Sequence, residues 1–506
     1  MINKNNSSLS NLLERREKLL GPAYRLFYDE PINIVKGNGV WLYDQNDKPY
    51  LDMYNNVAHV GHCNPLVVDA IRNQVGILNT HTRYLHENVL NYADRLLGLL
   101  PDELNIAMFS CTGTEANELA LRVARTYTGG TGLIVTEESY HGNSYAVAEI
   151  STEDNEPEDR SDYVITVPAP DTYRGAYQDL NAAKKYANHI NEAIQDLNKR
   201  GIKLAAFIID TIVSSSGVVG PPPQYLKFAS KIIKKAGGLF IADEVQPGFG
   251  RTGENFWGFE ADALVPDIVT MGKPMGNGHP LAATVMKRNL AEKFSQKTGY
   301  FNTFGGNPVS CAAGLAVLDV IEGEKLQENA MVVGNYLKEG IKKLSEKYCL
   351  IGDVRGSGLF LAIELITNTE KIPATQAANI VVQGLKDRGV LTNTIGPYSN
   401  ILKLRPPMIF SKENSTETKN DKTSIIFSVK HEPGALHNIL KEFNDNDINL
   451  TKIESRPNKN TNWEYNFFVD FQGHSSNSKI KAVLDSVEKN TIFLKVIGSY
   501  PIADLD

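Results

Sequence analysis

The sequence predicts an α/β protein in which a large, mostly parallel sheet with helices on both faces is followed by a smaller βαββαβ unit. Two observations carry this prediction. Up to residue 273, short apolar runs alternate with stretches of helical spacing, the order of strand, helix and strand that builds parallel sheets. After residue 423, Ser424–Val429, Ile448–Arg456, Trp463–Phe471 and Ile492–Ile497 read as strands, with helices over Pro433–Asn444 and Ser478–Lys489, which is the ferredoxin-like order. At 506 residues the chain has room for two or more domains, each with its own core.

Composition narrows the functional classes. With 42% hydrophobic and 22% charged residues the chain is an ordinary globular protein, which excludes disordered and fibrous classes. A net charge of −7, and no Lys/Arg stripe with interleaved aromatics, argue against a nucleic-acid partner. Cys63, Cys111, Cys311 and Cys349 are far apart and form no C-x-x-C pair, so neither a disulfide framework nor a thiolate zinc site is expected, and a reducing, cytoplasmic setting fits. No apolar run approaches the roughly 20 residues that span a bilayer, and the first twenty residues lack the apolar stretch of a signal peptide. His59 and His62, three apart, suggest a metal on sight, but their loop offers no nearby carboxylate and ends in Asn64-Pro65; no metal is expected.

The elements justify the fold in order. After an N-terminal helix, Gly39–Asp44 and Pro49–Asp52 flank a polar turn and read as a hairpin. Met108-Phe109-Ser110 is a strand, Thr112-Gly113-Thr114 a turn, and Ala116–Arg125 an amphipathic helix whose apolar face holds Leu119, Val123 and the alanines. Free N–H groups at that helix start, with two hydroxyls, suit a phosphate; alternatively, the threonines simply cap the helix. Leu133–Thr136 is the next strand, and after it Ser139-Tyr140-His141-Gly142 sets an aromatic ring beside a glycine. Such a tyrosine can stack on a flat ligand, although core tyrosines are commoner. Glu153–Asp159 is an acidic solvated loop, and Asn181–Arg200 has helical spacing. Leu204–Asp210 and Gly237–Asp243 then read as buried strands ending in carboxylates, with a helix including Phe228–Ala236 between them.

Lys273 follows the apolar run Ile268–Met271 into a glycine-rich segment. Ligands of parallel sheets sit at the carboxyl ends of the strands, so Asp210, Asp243 and Lys273 are expected at one crevice. A desolvated lysine loses its proton more easily, and the neutral amine can attack a carbonyl. A solvated loop lysine is the plain alternative. Asp243, at the end of an apolar strand, requires a cation or a well-aimed donor.

These residues carry a resemblance. From about Leu26 to Phe410 the chain resembles class III (ornithine/GABA-type) pyridoxal-phosphate aminotransferases, which are fold-type-I PLP-dependent transferases. Cys111-Thr112-Gly113-Thr114-Glu115-Ala116 is similar to the family's phosphate-binding turn, and Tyr140-His141-Gly142 to its ring-stacking segment. Phe240–Gln246, with Asp243, Val245 and Gln246, resembles the strand whose Asp pairs with the pyridinium nitrogen and whose Gln lies near the ring hydroxyl. Lys273 falls at the Schiff-base lysine. Phe301–Pro308 resembles the loop whose threonine, here Thr303, reaches the cofactor phosphate of the neighbouring subunit. The resemblance implies pyridoxal 5′-phosphate as cofactor, a homodimer or larger homo-oligomer with shared sites, and Lys273 and Asp243 as catalytic residues. An aspartate that keeps the pyridine nitrogen protonated makes the ring an electron sink, and the released lysine is then the general base. It also implies a layout: residues 1–60 as the N-terminal part of a small domain, 61–306 as the large cofactor-binding domain, 307–410 as the rest of the small domain, 411–422 as a linker and 423–500 as a regulatory domain.

For the reaction, Asn55–His62, Ala169–Gly175 and Met271–Pro280 look most like the ethanolamine-phosphate phospholyase subgroup. Where the family carries an arginine for the substrate α-carboxylate, this chain has Lys403, with Arg405 two residues on. Lysine lacks the bidentate fork that grips a carboxylate. Arg83, Arg174, Lys403 and Arg405 are the candidate substrate clamps, unless they are ordinary surface cations. Amino transfer from a primary amine or amino acid to a 2-oxo acid ranks slightly first, as the family's commoner chemistry. Phosphate elimination from a phosphorylated amine such as ethanolamine phosphate is the alternative. A non-catalytic amino-acid sensor is the rival of another class, and the intact Asp243 and Lys273 weigh against it.

Ser411–Asp421 is polar and aperiodic, a linker standing where the family's small domain usually closes with an amphipathic helix. The tail beyond it resembles the ACT domains attached to prephenate dehydratases and aromatic amino-acid hydroxylases. Gly434-Ala435-Leu436 and Glu454-Ser455-Arg456-Pro457 match the two loops that bind phenylalanine there, and Trp463-Glu464-Tyr465 extends the match. The resemblance implies an amino-acid effector of the phenylalanine type; a fused dimerisation module that has lost its ligand is the alternative.

Overall fold

The computed structural model describes residues 9–153, 160–415, 421–429, 432–457, 465–475 and 477–501. The chain forms two compact units, one of residues 1–45, 52–384 and 391–410, the other of residues 46–51, 385–390 and 411–506. Of the stretches singled out in the sequence, Trp463, Glu464 and most of the acidic 153–159 loop lie outside the described residues.

In the first unit a helix over Leu9–Leu20 precedes the main sheet. That sheet and its helices run β1 (Ile106–Ser110), α1 (Gly113–Thr128), β2 (Gly132–Thr136), β3 (Val164–Val167), α2 (Ala182–Lys199), β4 (Leu204–Asp210), α3 (Tyr225–Lys235), β5 (Leu239–Asp243), β6 (Ile268–Met271) and β7 (Ala282–Met286). The strand order is β1-β7-β6-β5-β4-β2-β3. The pairs β6–β5, β5–β4, β4–β2 and β2–β3 are parallel, while β7 runs antiparallel to both its neighbours. Every residue of β2, β4, β5, β6 and β7 is buried, which is why these strands read as unbroken apolar runs rather than alternating ones. The predicted parallel sheet is thus present, with β7 an antiparallel insertion that the sequence pattern did not reveal.

Helix α1 starts one residue into the predicted turn. Thr112 is its N-cap and Glu115 completes a capping box, so Gly113 and Thr114 belong to the first helical turn. Its buried face, Leu119, Ala120, Val123 and Ala124, packs in one cluster with Leu133, Ile208, Ile241 and Ile268 of the sheet.

After α4 (Pro308–Gly323) and α5 (Leu326–Lys347), the strands β8 (Ile351–Ser357), β9 (Phe360–Leu365), β10 (Asn393–Ile395) and β11 (Ile401–Leu404) form an antiparallel sheet of order β8-β9-β11-β10. All four residues of β11 are buried. The main chain therefore carries Lys403 into the interior rather than onto a surface.

The second unit contains β12 (Asp421–Ser428), α6 (Ala435–Asp445), β13 (Leu450–Pro457), β14 (Tyr465–Gln472), α7 (Ser478–Lys489) and β15 (Phe493–Pro501), with strand order β13-β14-β12-β15. This is the expected βαββαβ unit. Ile425, Phe427, Ile439, Phe443, Val469, Phe471, Val483 and Val487 form its core. Asp421 and Lys422, read as the end of the linker, are already part of β12.

Candidate active site

The carboxyl ends of β4, β5 and β6 open into a cavity of about 340 Å³. Its lining includes Thr112, Gly113, Thr114, Tyr140, His141, Asp210, Asp243, Val245, Gln246 and Lys273. The expected crevice is therefore real, and the three strand-end groups share it.

Asp243 is buried and has its partners. Asn117 Nδ2 donates to Oδ2 at 2.9 Å, His141 Nδ1 lies 2.6 Å from the same oxygen, and Val245 N donates to Oδ1 at 3.0 Å. The imidazole is so enclosed that its Nε2 has no partner. His141, expected beside the ring, thus also holds the aspartate. Asn117 escaped the sequence reading; its signal was a polar residue on the apolar face of α1.

Lys273 opens a short 3₁₀ turn, Lys273–Gly276, directly after β6. Burial, reinforced by the Arg405 charge, lowers its pKa to about 8 against the opposing pull of Asp243 and Asp210. Asn277 fastens the end of this turn: its Oδ1 accepts from Val60 N at 2.9 Å and its Nδ2 donates to Gly61 O at 2.8 Å. The histidine loop is thereby tied to the lysine turn. His59 and His62 bind no common centre. His59 Nε2 donates to Phe249 O at 2.9 Å with Arg251 Nη2 3.1 Å from its Nδ1, and His62 Nε2 lies 2.7 Å from Asp52 Oδ2.

At the start of α1, Glu115 Oε2 accepts from the N–H groups of Cys111 and Thr112 at 2.8 and 2.9 Å, and Thr112 Oγ1 accepts from Glu115 N. The N–H groups of Gly113 and Thr114 come before the helix's first internal bond, and both residues line the cavity. The turn caps the helix through Thr112 and leaves the N–H groups of Gly113 and Thr114 at the cavity. Its packing is tight on two sides: a Cβ on Gly113 would sit 2.9 Å from Val245 Cγ1, and one on Gly142, whose φ is +138°, would sit 2.4 Å from Thr114 Oγ1. Free N–H groups at a helix start, a buried carboxylate and a desolvated amine lining one cavity fit a phosphorylated pyridine aldehyde.

Lys403 and Arg405 lie beside this cavity. Both are buried, at 5% exposure each. Arg405 Nη1 donates to Gln246 Oε1, Arg405 Nε to Tyr54 O at 3.1 Å, and Lys403 Nζ lies 3.5 Å from the same Gln246 oxygen. Gln246, expected near a ring hydroxyl, turns its carbonyl oxygen to the two cations. Among the described residues neither cation forms an ion pair. Arg405 also lines, with Lys273, Asp52, Tyr54 and Phe27, an adjoining cavity of about 480 Å³ with mostly apolar walls. Burial is the main reason both cations are held below their usual pKa, Arg405 at about 10 and Lys403 well down from the lysine range.

The other two candidate clamps lie elsewhere in the chain. Arg174 is bound through Nε to the buried Glu364 and through Nη1 to Lys371 O, and Glu364 is held from its other side by Arg355 Nη1 at 2.6 Å. Arg174 is thus spoken for by a buried carboxylate. Arg83 is exposed, with its guanidinium 3.9 Å from the Phe301 ring centroid. Thr303, on the same loop as Phe301, is exposed and lines neither cavity of its own chain.

In the second unit, Gly434 precedes α6 with φ +85°, and Ala435 and Leu436 pack on the core. Glu454, Ser455 and Arg456 lie on the edge strand β13, where Arg456 Nε donates to Glu454 Oε1 at 2.9 Å; Pro457 ends that strand.

Residues 27–425 match the family described as aminotransferase class-III, and residues 423–489 match the ACT domain. The chain belongs to the class III aminotransferase family. It is a pyridoxal-phosphate-dependent enzyme of this family with a C-terminal ACT domain, and the sensor reading without catalysis is set aside. Relatives include the alanine–glyoxylate aminotransferase 2-like protein of Drosophila melanogaster, 42% identical over 422 residues (81% of this chain, 85% of that one). The ethanolamine-phosphate phospho-lyase homolog 1 of Caenorhabditis elegans is 36% identical over 430 residues (81% and 92%). Among solved structures, a phospholyase from Arthrobacter in complex with phosphoethanolamine is 42% identical, with a TM-score of 0.78 over 80% of this chain and 96% of that one. This class III enzyme therefore acts on amines or amino acids, within a family that holds both aminotransferases and phospholyases.

Proposed function

We propose that the chain is a phospholyase that eliminates phosphate from a small phosphorylated primary amine of the ethanolamine-phosphate kind. The observation that carries this is the charge count beside the cavity. Lys403 and Arg405 are buried together, and among the described residues neither is in direct contact with a carboxylate, Asp210 and Asp52 acting on them only from a distance, so the pair is open to an incoming anion. A phosphate monoester, with close to two negative charges at neutral pH and three free oxygens, can engage both cations at once more fully than a carboxylate with its single charge. The likeness to the phosphoethanolamine-bound phospholyase supports the same choice. Phosphate elimination is thereby placed ahead of the amino transfer that the commoner chemistry of the family favours.

Thr112, Gly113 and Thr114 would hold the cofactor phosphate, Tyr140 would cover the ring, and Asp243, fixed by His141 and Asn117, would hold the proton on the pyridine nitrogen. When bound, the cofactor supplies an electron sink for the carbon that bears the amine. Lys273 takes the proton from that carbon. Arg405, which lines the adjoining cavity, grips the phosphate and orients the C–O bond for departure. Overall, a phosphorylated ethylamine and water give acetaldehyde, ammonia and inorganic phosphate, with no net redox change.

The assembly belongs to the same proposal. Ile77, Leu85 and Phe304 are 79%, 93% and 69% exposed, an apolar surface on the loops that flank Thr303 and suited to a second copy. In a homodimer Thr303 would enter the partner's site. The ACT domain is proposed to bind a phenylalanine-like amino acid at Gly434–Leu436 and Glu454–Pro457, and calorimetry with phenylalanine that gives no heat would remove this.

The deciding experiment mixes holoenzyme with phosphoethanolamine and, separately, with a panel of amino acids. Stoichiometric release of phosphate, ammonia and acetaldehyde, with the cofactor still in its aldehyde form, is expected. Accumulation of the cofactor's amine form, reversed by a 2-oxo acid and without phosphate release, would establish an aminotransferase instead.

A further inference from the structure

The roles above give Lys403 a charge but no chemistry. Its Nζ rests 3.5 Å from the carbonyl oxygen of Gln246, and Gln246 lines the cavity together with Lys273. Facing Lys403 are Arg405 from the end of its own strand, Lys273 after β6, Asp210 at the end of β4 and Glu153, with the Phe360 ring of β9 5.7 Å away. Two amines therefore lie close to the same cavity, Lys273 lining it and Lys403 within 3.5 Å of Gln246, which also lines it.

The departing group sets a requirement. A phosphate monoester dianion that leaves by C–O cleavage without a proton would leave as the strongly basic trianion. The bridging oxygen must receive a proton as the bond breaks. Arg405 is the poorer donor, because a guanidinium holds its proton more tightly than an ammonium. A lysine is the better one.

We propose that Lys403 is the general acid of phosphate elimination, donating the proton of its ammonium to the ester oxygen while Lys273 removes the proton from the amine-bearing carbon. This rests on the phospholyase reading. The electron pair of the C–H bond becomes the new C=C bond, and the pair of the C–O bond stays on oxygen, which takes the Lys403 proton. Phosphate leaves as the hydrogen-phosphate dianion. Lys273 ends protonated and Lys403 neutral, and one proton exchanged through solvent resets both. Burial beside Arg405 and Lys273 makes the Lys403 ammonium a stronger acid, and the arriving dianion favours its protonated form before the bond breaks. The lysine at 403 is then a catalytic requirement and not a weaker clamp.

The test uses a leaving group that needs no proton. Initial rates of holoenzyme are measured on phosphoethanolamine and on ethanolamine O-sulfate, whose sulfate departs as a very weak base, for wild type, Lys403→Arg and Lys403→Met. Lys403→Arg keeps the charge but holds its proton more tightly. It should slow phosphate release by about 100-fold or more, within the range for a lost general acid, and sulfate release by less than about 10-fold. Lys403→Met should lose phosphate release at least as severely. The wild-type pH profile reports the same step without any substitution: phosphate release should decline on the alkaline side where sulfate release holds. Equal losses on both substrates, or identical pH profiles, would overturn the acid role while the phospholyase stands. Absence of phosphate release from wild type would overturn both.

Discussion

Replacing Lys403 with methionine should stabilise the protein while removing its response to phosphate. Lys403 Nζ lies 3.5 Å from the oxygen that also accepts from Arg405, so the two cations are within roughly 6 Å, where like charges repel by about 3 kcal/mol at an effective dielectric constant of about 20. Methionine fills nearly the same volume without charge. In the absence of phosphate the variant should gain on the order of 1–3 kcal/mol, a rise of a few degrees in the unfolding midpoint.

The sign with pH is fixed. A lysine whose folded pKa is depressed weakens the fold fully below that pKa, and the penalty fades as pH rises toward the unfolded value of about 10.4. Wild type should therefore gain on Lys403→Met as the solution becomes alkaline. Inorganic phosphate should stabilise wild-type holoenzyme by ~2.7 kcal/mol at about 100 times its Kd, and the variant by much less. Thermal unfolding of both holoenzymes, with and without phosphate and at two pH values, reads all of this. A variant that is less stable without phosphate, or equally stabilised by it, would refute the mutually repelling cation pair on which the phosphate reading rests.

Gly142→Ala forces an alanine into φ +138° with its Cβ against Thr114. A cost of ~1–3 kcal/mol falls on the phosphate turn, so cofactor titration should show affinity weakened roughly 10-fold or more, and an unchanged titration would contradict the cradle. Arg174→Ala should destabilise by about 3 kcal/mol, because Glu364 then keeps only Arg355 as a cation in the interior, while the KM for phosphoethanolamine should stay within about threefold. A large rise in KM with intact stability would return Arg174 to the substrate. Glu244 accepts from Thr211 Oγ1, Gly258 N and Phe259 N at 2.7, 2.9 and 3.0 Å, burial raises its pKa to about 8, and above that pH Glu244→Gln replaces one accepting oxygen by a donor. The expected loss is about 1–3 kcal/mol of stability, read by denaturant unfolding, and none at all would mean that these bonds contribute little.

Much of the site was legible because its chemistry is local in sequence. Asp243 and Lys273 each end an apolar strand, and that placement alone sends both to one crevice. Thr112-Gly113-Thr114 allowed a cap or a cradle; Thr112 does cap, and Gly113 and Thr114 keep their N–H groups at the cavity, so the cap does not use up the donors a cradle would need. What the sequence concealed depends on partners far along the chain. Arg174 looked like a free clamp because Glu364 stands 190 residues away, and Lys403 and Arg405 meet Gln246 across 157 and 159 residues. Lone charged residues carry no mark of whether a buried counter-charge awaits them. The antiparallel β7 was hidden for a related reason, because a strand buried on both faces has no alternation to reveal its direction. The departure at Lys403 was nonetheless visible as a residue type. Its consequence follows only from the fold: an exposed lysine there would be a weaker arginine, whereas one enclosed with Arg405 parts with its proton more readily than a guanidinium. Had β11 been an edge strand, the same substitution in the sequence would have said nothing about the reaction.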